Sequence, residues 1–301
     1  MATIKLQPKC ELVAIIDTIC EQQIGFPHYA TLQEYLETTP TVDAFIIATP
    51  NGTHASLAIE VLEAGKHVLI EKPFALRRHE AEAVISKAIE AKKQVMVVLQ
   101  NRYSPVSKWL KSIVEQDILG KVYFVEVNCF WNRNENYYFK NSWRGSKETD
   151  GGTLYTQFSH FIDILYWLFG DITRISSRFY NNRHKELISI EDTGSIFFEF
   201  VNNGAGCMNF TTASFERNIE SSITIIAENG SIKISGQYMD TIEYCHIKDY
   251  ILPEMPANDP SKNNIKMLEE FIKVIHQEAG SNSLDGLHSV DIIERMYTAA
   301  S

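Results

Sequence analysis

A lysine at the end of an apolar run is the first residue of this chain whose position suggests chemistry. The run at 68–70 (Val-Leu-Ile) is typical of a buried parallel strand and is followed by Glu71, Lys72 and Pro73. Such strands deliver ligand-binding side chains at their carboxyl ends. Because the residue before a proline has a restricted backbone, Lys72 is predicted to be a positioned proton donor or acceptor. A solvated lysine is the alternative, since most lysines are exposed.

A histidine on an apolar helix is the second candidate. Residues 151–170 begin with two glycines, end with one and are mostly apolar between them. Gln157, His160 and Asp163 follow one another at intervals of three, which stacks them on one helix face. A lysine and a histidine that converge on a hydroxyl can move its proton while a nicotinamide accepts hydride from the same carbon. A structural core histidine is the alternative.

Arginine and aromatic residues are concentrated in two further segments, around 100–103 and 131–144. Arginine suits a carboxylate or a phosphate, and aromatic rings suit the faces of a sugar. These segments therefore predict a polyhydroxylated, anionic ligand. For Arg102 and Arg144, surface ion pairs are the alternative.

The order of strands and helices predicts an α/β fold with two domains. Over residues 1–102, strands and helices alternate at roughly 25-residue spacing, which favours a Rossmann-type parallel sheet with crossover helices. Over residues 103–301, alternating strands and the hairpin signals Asn203-Gly204 and Asn229-Gly230 predict an α+β domain with a large, mainly antiparallel sheet.

Composition narrows the class of protein. The chain has 301 residues, a formal charge of −10 and no basic block, which argues against nucleic acid or an anionic membrane as a partner. No apolar run approaches the ~20 residues needed to cross a bilayer. The cysteines are odd in number and form no metal-binding pair, which fits reduced thiols in a cytoplasmic protein without a metal site. They are Cys10, Cys20, Cys129, Cys207 and Cys245.

Three motifs resemble the glucose–fructose oxidoreductase/inositol dehydrogenase/MocA (Gfo/Idh/MocA) family over nearly the whole chain. They are Thr49-Pro-Asn-Gly-Thr-His54, Glu71-Lys72-Pro73 and the glycine-pair helix that carries His160-x-x-Asp163. Within the family, the segments 100–103, 130–133 and 143–152 look most like the branch that oxidises the 3-hydroxyl of UDP-N-acetylglucosaminuronic acid for surface-polysaccharide synthesis. Another sugar or inositol dehydrogenase, or a non-catalytic ligand-sensing relative, is the alternative.

The resemblance implies NAD as cofactor, Lys72 and His160 as the proton-transfer pair, and a homodimer or homotetramer. The carboxylate of Asp17 would repel a 2′-phosphate, which favours NAD over NADP. The implied cofactor contacts are Asp17, Thr49, Pro50, Asn51, His54, Glu71, Lys72, Gln100, Trp143 and Arg144. The implied substrate contacts are Arg102, Tyr103, Gln157 and Asp163.

Two features depart from the family pattern. Thr156 stands where many members carry an aspartate four residues before the motif histidine. The first strand and the G-x-G-x-x-G loop of the family have no counterpart before the strand that ends at Asp17. Because that loop holds the cofactor pyrophosphate and that strand is central to the sheet, a truncated chain is expected. If the loop is truly absent, NAD binding should be weak.

Overall fold

The computed structural model describes residues 4, 6–19, 25–39, 41–139, 143–278 and 280–300. Twelve strands and eight α-helices lie within these residues. The strands are β1 (Ile15–Ile16), β2 (His28–Tyr29), β3 (Ala44–Ile47), β4 (His67–Ile70), β5 (Val95–Val97), β6 (Val122–Phe130), β7 (Ile172–Tyr180), β8 (Thr193–Phe200), β9 (Ala205–Thr211), β10 (Glu220–Ala227), β11 (Gly230–Ser235) and β12 (Thr241–Ile247). The helices are α1 (Leu32–Glu37), α2 (His54–Glu63), α3 (Arg78–Ala91), α4 (Pro105–Glu115), α5 (Glu135–Phe139), α6 (Ser159–Phe169), α7 (Pro260–Ile275) and α8 (Ser283–Thr298).

The first five strands are parallel, as the sequence predicts. They form a two-stranded sheet, β1–β2, and a three-stranded sheet in the order β3–β4–β5; no strand pairing joins the two sheets within the described ranges. Strand β4 is central to its sheet and buries Val68, Leu69 and Ile70 almost completely. A continuous apolar run is what a strand covered on both faces requires.

The second half is built on a seven-stranded sheet in the order β12–β11–β10–β6–β9–β8–β7. All neighbouring strands are antiparallel except β6 and β9, which are parallel. The turn between β8 and β9 has Asn203 and Gly204 at positive φ, a conformation that these two residue types adopt most readily. The predicted fold class, a parallel Rossmann-type sheet followed by a large, mainly antiparallel one, is confirmed.

Helix α6 packs between the two halves. Phe158, just before it, contacts Phe210 of β9 with ring centroids 5.4 Å apart, and Phe169 near its end contacts Phe200 of β8 at 5.2 Å. One apolar cluster includes these rings together with Ile70 of β4. The position of His160 is therefore fixed by core packing on both sides. Because the same cluster crosses residue 102, the boundary between 1–102 and 103–301 stays a prediction.

Four of the five cysteines lie within the residues that the structure describes. Cys10, Cys129, Cys207 and Cys245 are free thiols, and Cys20 lies outside the described residues. In the part of the chain that the structure describes, no helix is long and apolar enough to cross a membrane, and no group of three or more His, Cys, Asp or Glu side chains could hold a metal ion.

Candidate active site

A cavity of about 370 Å³ opens where β3 and β4 end, and its opposite wall comes from the second half of the chain. This volume is within the range of small-molecule sites. Most residues predicted to form the site line it: Thr49, Asn51, His54, Glu71, Lys72, Gln100, Trp143, Arg144, Gln157 and His160. Three residues of the segment 131–144, which was predicted as a whole to bind an anionic sugar, also line it: Trp131, Arg133 and Tyr137. The residues of the lining to which the sequence assigned no ligand contact are Ala48, Thr156, Phe161, Gln237 and Tyr238.

Lys72 enters the cavity directly after β4. Its ammonium donates a hydrogen bond to the carbonyl oxygen of Thr156 on the opposite wall. Burial lowers the pKa of Lys72 to about 8, and the positive charges of Arg144 and Arg133 act in the same direction, while Glu71 and Asp150 oppose them. An amine with a pKa near 8 has a substantial neutral fraction near neutral pH, which a general base needs.

His54, at the start of α2, connects the turns that follow β3 and β4. Its Nδ1 lies 2.7 Å from the carbonyl oxygen of Pro73, and its Nε2 lies 2.9 Å from the carbonyl oxygen of Thr49. The neutral ring donates to one of these oxygens, and the charged ring donates to both. Burial lowers the pKa of His54. The ring therefore fixes the backbone on either side of the cavity floor, next to Lys72.

His160 faces Lys72 from helix α6, which continues a π-helical stretch at Leu154–Phe158. Short π-helical segments are frequently found at functional sites. Burial lowers the pKa of His160 well below its ordinary value, and the charge of Lys72 lowers it further. The imidazole is therefore neutral at physiological pH. Its Nδ1 is buried and accepts or donates no hydrogen bond to any described residue.

A carboxylate that the sequence did not predict lies behind Thr156. The Thr156 hydroxyl donates to Oδ1 of Asp150, and the backbone N–H of Gly145 donates to Oδ2 at 2.8 Å. Asn51 Nδ2 donates to the Thr156 hydroxyl at 2.9 Å and to the Asp150 carbonyl oxygen at 2.8 Å. Asp150 therefore lies next to Thr156, the position at which the family pattern leads us to expect an aspartate. An acidic residue directly before the glycine pair was the available signal.

Two arginines complete the wall beside Lys72. The guanidinium carbon of Arg144 lies 4.1 Å from the ring centroid of Tyr137, and that of Arg133 lies 5.1 Å from the same centroid. Arg133 Nε donates to Oε1 of Gln157 at 2.7 Å, and the Gln157 amide donates to the Tyr137 hydroxyl. The cavity therefore presents three cationic side chains, Lys72, Arg133 and Arg144.

Two sequence profiles match the chain. An oxidoreductase family with an NAD-binding Rossmann fold matches residues 2–99, and the C-terminal domain of the GFO/IDH/MocA proteins matches residues 108–233. The chain belongs to the Gfo/Idh/MocA family. This membership confirms the resemblance and, through the Rossmann domain, the prediction of NAD as the cofactor of an oxidoreductase.

Solved structures of two WlbA dehydrogenases resemble this family member over nearly its full length. The enzyme from Bordetella pertussis, in complex with NADH and UDP-GlcNAcA, is 28% identical with a TM-score of 0.90, and the match covers 99% of this chain and 90% of that one. The enzyme from Chromobacterium violaceum, with the same two ligands, is 30% identical with a TM-score of 0.86, covering 97% and 86%. A curated relative, an uncharacterized oxidoreductase of Synechocystis, is 28% identical over 234 residues, and the match covers 74% of this chain and 60% of that protein.

The cavity residues fit the nicotinamide half of the family's cofactor. The Glu71 carboxylate lines the cavity, where its only hydrogen bond from a described residue comes from the N–H of Lys72 at 3.3 Å. Burial raises the pKa of Glu71. Its oxygens can accept hydrogen bonds from ribose hydroxyls, and Thr49 and His54 would form the adjacent wall. These residues would hold the cofactor within reach of Lys72.

Five of the predicted contacts do not line the cavity: Asp17, Pro50, Arg102, Tyr103 and Asp163. Asp17 is exposed after β1, and one of its oxygens accepts the backbone N–H of Ile19 at 2.9 Å. Pro50 precedes the short 3₁₀ helix Asn51–Thr53. Their contacts with the cofactor stay predictions.

The substrate contacts predicted for Arg102, Tyr103 and Asp163 also stay predictions; these three residues lie outside the cavity. Arg102 and Asp163 form a bidentate ion pair, in which Nε and Nη2 of the arginine donate to the two carboxylate oxygens at 2.8 and 2.6 Å. Tyr103 packs against a separate apolar cluster that includes Met96, and burial raises its pKa to about 12. Gln157 is the predicted substrate contact that does reach the cavity.

Proposed function

We propose that the protein is an NAD-dependent dehydrogenase that oxidises the 3-hydroxyl of a UDP-linked N-acetylaminosugar uronic acid, in the synthesis of surface-polysaccharide sugars. The observation that carries the proposal is the meeting of Lys72 and His160 in one cavity at the carboxyl ends of β3 and β4. Ligands of open α/β sheets bind at this edge. The two WlbA dehydrogenases, which were crystallised with NADH and UDP-GlcNAcA, support the choice of substrate class.

The geometry divides the proton transfer between two side chains. Neutral Lys72, with a pKa of about 8, accepts the proton of the sugar hydroxyl. Neutral His160 hydrogen-bonds the same oxygen and orients it. Bound NAD supplies the acceptor for the hydride that leaves the carbon. Asp150, through Thr156, holds the carbonyl oxygen that positions the Lys72 amine.

The assembly and location proposed with this function rest on the surface of the chain. Phe197 and Tyr244 are 59% and 54% exposed on strands of the large sheet, and such aromatic surface is typical of an interface. We propose a homodimer or homotetramer that buries this side of the sheet. A cytoplasmic location fits the free thiols of the four cysteines that the structure describes.

The test is NADH formation with UDP-N-acetylglucosaminuronic acid by the wild-type chain and by Lys72→Met. We expect the substitution to lower kcat by about 10²- to 10⁴-fold, because the general base is lost. NADH affinity, measured by fluorescence titration, should change little. Lys185→Met is the matched control, because it makes the same substitution at an exposed lysine.

The other outcomes are equally informative. If Lys72→Met keeps the turnover of the wild type, Lys72 is not the group that accepts the proton. Oxidation of neutral sugars or inositols, without oxidation of the sugar acid, would assign a different substrate. Binding of NADH and a sugar ligand without turnover would indicate a ligand-sensing relative.

A further inference from the structure

We infer that Arg133 and Arg144 form a subsite for the carboxylate of the substrate sugar and give the cavity its preference for acidic over neutral sugars. The inference rests on the proposed function, because it names the part of the substrate that this wall of the cavity binds. Both arginines line the cavity beside Lys72 and pack on the same ring, that of Tyr137.

The two guanidinium groups lack the counterion that buried arginines usually have. Neither forms an ion pair with a carboxylate of the residues that the structure describes. Asp150 interacts electrostatically with Arg144, but its two oxygens already accept hydrogen bonds from Thr156 and Gly145. Burial lowers the pKa of Arg133, and the neighbouring charge of Arg144 adds to this effect. Around the cavity, the three cations Lys72, Arg133 and Arg144 outnumber the carboxylates Glu71 and Asp150, so an anion placed beside the arginines would meet more positive than negative side chains.

The arginine side chains keep donors available while they are held in place. Arg133 uses Nε on Gln157 and Nη1 on the carbonyl oxygen of Asn132, both at 2.7 Å, and its guanidinium also interacts with the side chain of Tyr137. Arg144 is held by the rings of Tyr137 and Trp143, at 4.1 and 5.2 Å from its guanidinium carbon. Its Nε is buried and donates to no described acceptor. Ring contacts thus help to hold both planar groups, and the N–H groups that donate to no described acceptor remain available to a ligand.

The position of the pair points to a carboxylate on the reacting sugar ring. Both arginines line the same cavity as Lys72, the residue proposed to take the proton, and their charges lower the pKa of its amine. In a uronic acid, the carboxylate belongs to the same ring as the hydroxyl that is oxidised. A guanidinium matches the two oxygens of a carboxylate with two parallel N–H bonds. A neutral sugar with a hydroxymethyl group at this position leaves the two guanidinium groups without an anion.

The experiment measures binding and does not depend on turnover. Isothermal titration calorimetry measures the affinities of the wild-type chain, Arg133→Met and Arg144→Met for three ligands. The ligands are UDP-N-acetylglucosaminuronic acid, UDP-N-acetylglucosamine and UDP. We expect each substitution to weaken binding of the sugar acid by about tenfold to hundredfold, the loss typical of a hydrogen bond to a charged group. Binding of the neutral sugar should stay within about twofold, which also shows that the variant is folded. Arg133→Lys, which keeps the charge and loses the planar fork, should give an intermediate loss.

Arg174→Met is the matched control, because Arg174 is exposed and pairs with Glu199 at 3.1 Å on the large sheet. Equal losses for all three ligands would place the arginines on the diphosphate and overturn the inference. An unchanged preference for the acid would overturn it as well. If the preference depends on both arginines but no NADH forms, the subsite stands and the proposed function fails. If NADH forms and the preference survives both substitutions, the function stands and the subsite fails.

Discussion

Two clusters of charged side chains in this molecule differ in how the positive charge of their arginines is balanced. In the Arg102 cluster (Arg102, Asp163, Asp285 and Ser289), the guanidinium donates to Asp163 at 2.6 and 2.8 Å and to Asp285 at 2.6 Å. In the cavity cluster, the cations of Lys72, Arg133 and Arg144 adjoin aromatic rings, an amide and backbone carbonyls.

The difference separates a structural role from a ligand-binding role. The carboxylate of Asp163 is only 2% exposed and also accepts the Ser289 hydroxyl at 3.1 Å, so the Arg102 cluster is complete without a ligand. In the cavity cluster, three cations adjoin the carboxylates of Glu71 and Asp150, and neither arginine forms an ion pair with a carboxylate of the described residues. An anionic ligand would supply that partner. An arginine alone is therefore not a sign of a binding site; one that lines a cavity without an ion-pair partner is a candidate for a ligand contact.

The largest expected effect is on stability and concerns the Arg102 cluster. Arg102→Met should lower the free energy of unfolding by about 3–5 kcal/mol, because it leaves Asp163 buried without a cation. Arg133→Met should change the same quantity by less than about 1 kcal/mol in the absence of ligand, because it also removes repulsion from Arg144. Urea unfolding followed by tryptophan fluorescence measures both. Equal losses in the two variants would abolish the distinction between the clusters.

A second prediction concerns a variant in which Arg133 gains a carboxylate partner, as Arg102 already has. Gln157→Glu preserves the shape of the side chain and gives Arg133 a carboxylate where Gln157 Oε1 now accepts its Nε at 2.7 Å. We expect binding of the sugar acid to weaken by about tenfold or more, since the introduced carboxylate satisfies the arginine in place of the ligand. Isothermal titration measures the change.

The matched control for this conversion is Gln116→Glu, which adds the same charge at the exposed residue that caps the C-terminus of α4. It should leave the affinity unchanged. The neutral sugar should lose less affinity than the sugar acid in Gln157→Glu. A variant that keeps its full affinity for the acid would show that Arg133 does not contact the carboxylate.

Local patterns were sufficient to single out Lys72 and His160. Lys72 follows the apolar run 68–70 and His160 lies on a mostly apolar helix, so short stretches of sequence show where both residues stand. The motifs then indicated which residues of the two domains meet. The structure brings both side chains to one cavity, and their catalytic role stays a proposal.

Pairing between distant residues was not predictable in the same way. The partners of Arg102 lie 61 and 183 positions away in sequence, so no local pattern shows that this arginine is already satisfied. The parallel contact of β6 with β9 also depends on how the whole sheet is assembled. The position of Asp150 beside Thr156 was not predicted for a related reason: this contact depends on the turn at the glycine pair.

The smallest expected effect is on the pH dependence of the proposed oxidation. The acid limb of kcat/KM should reflect Lys72, whose pKa burial lowers to about 8, so activity rises with pH as the amine loses its proton. Arg144→Gln removes a positive charge that lowers this pKa further, and the limb should move to higher pH. Asp150→Asn removes a negative charge that raises it, and the limb should move to lower pH. Both shifts should be a fraction of a pH unit, because burial is the larger cause. Asp285→Asn, a loss of charge in the Arg102 cluster, should leave the limb in place, and shifts of the same sign in the two cavity variants would show that the limb does not report Lys72.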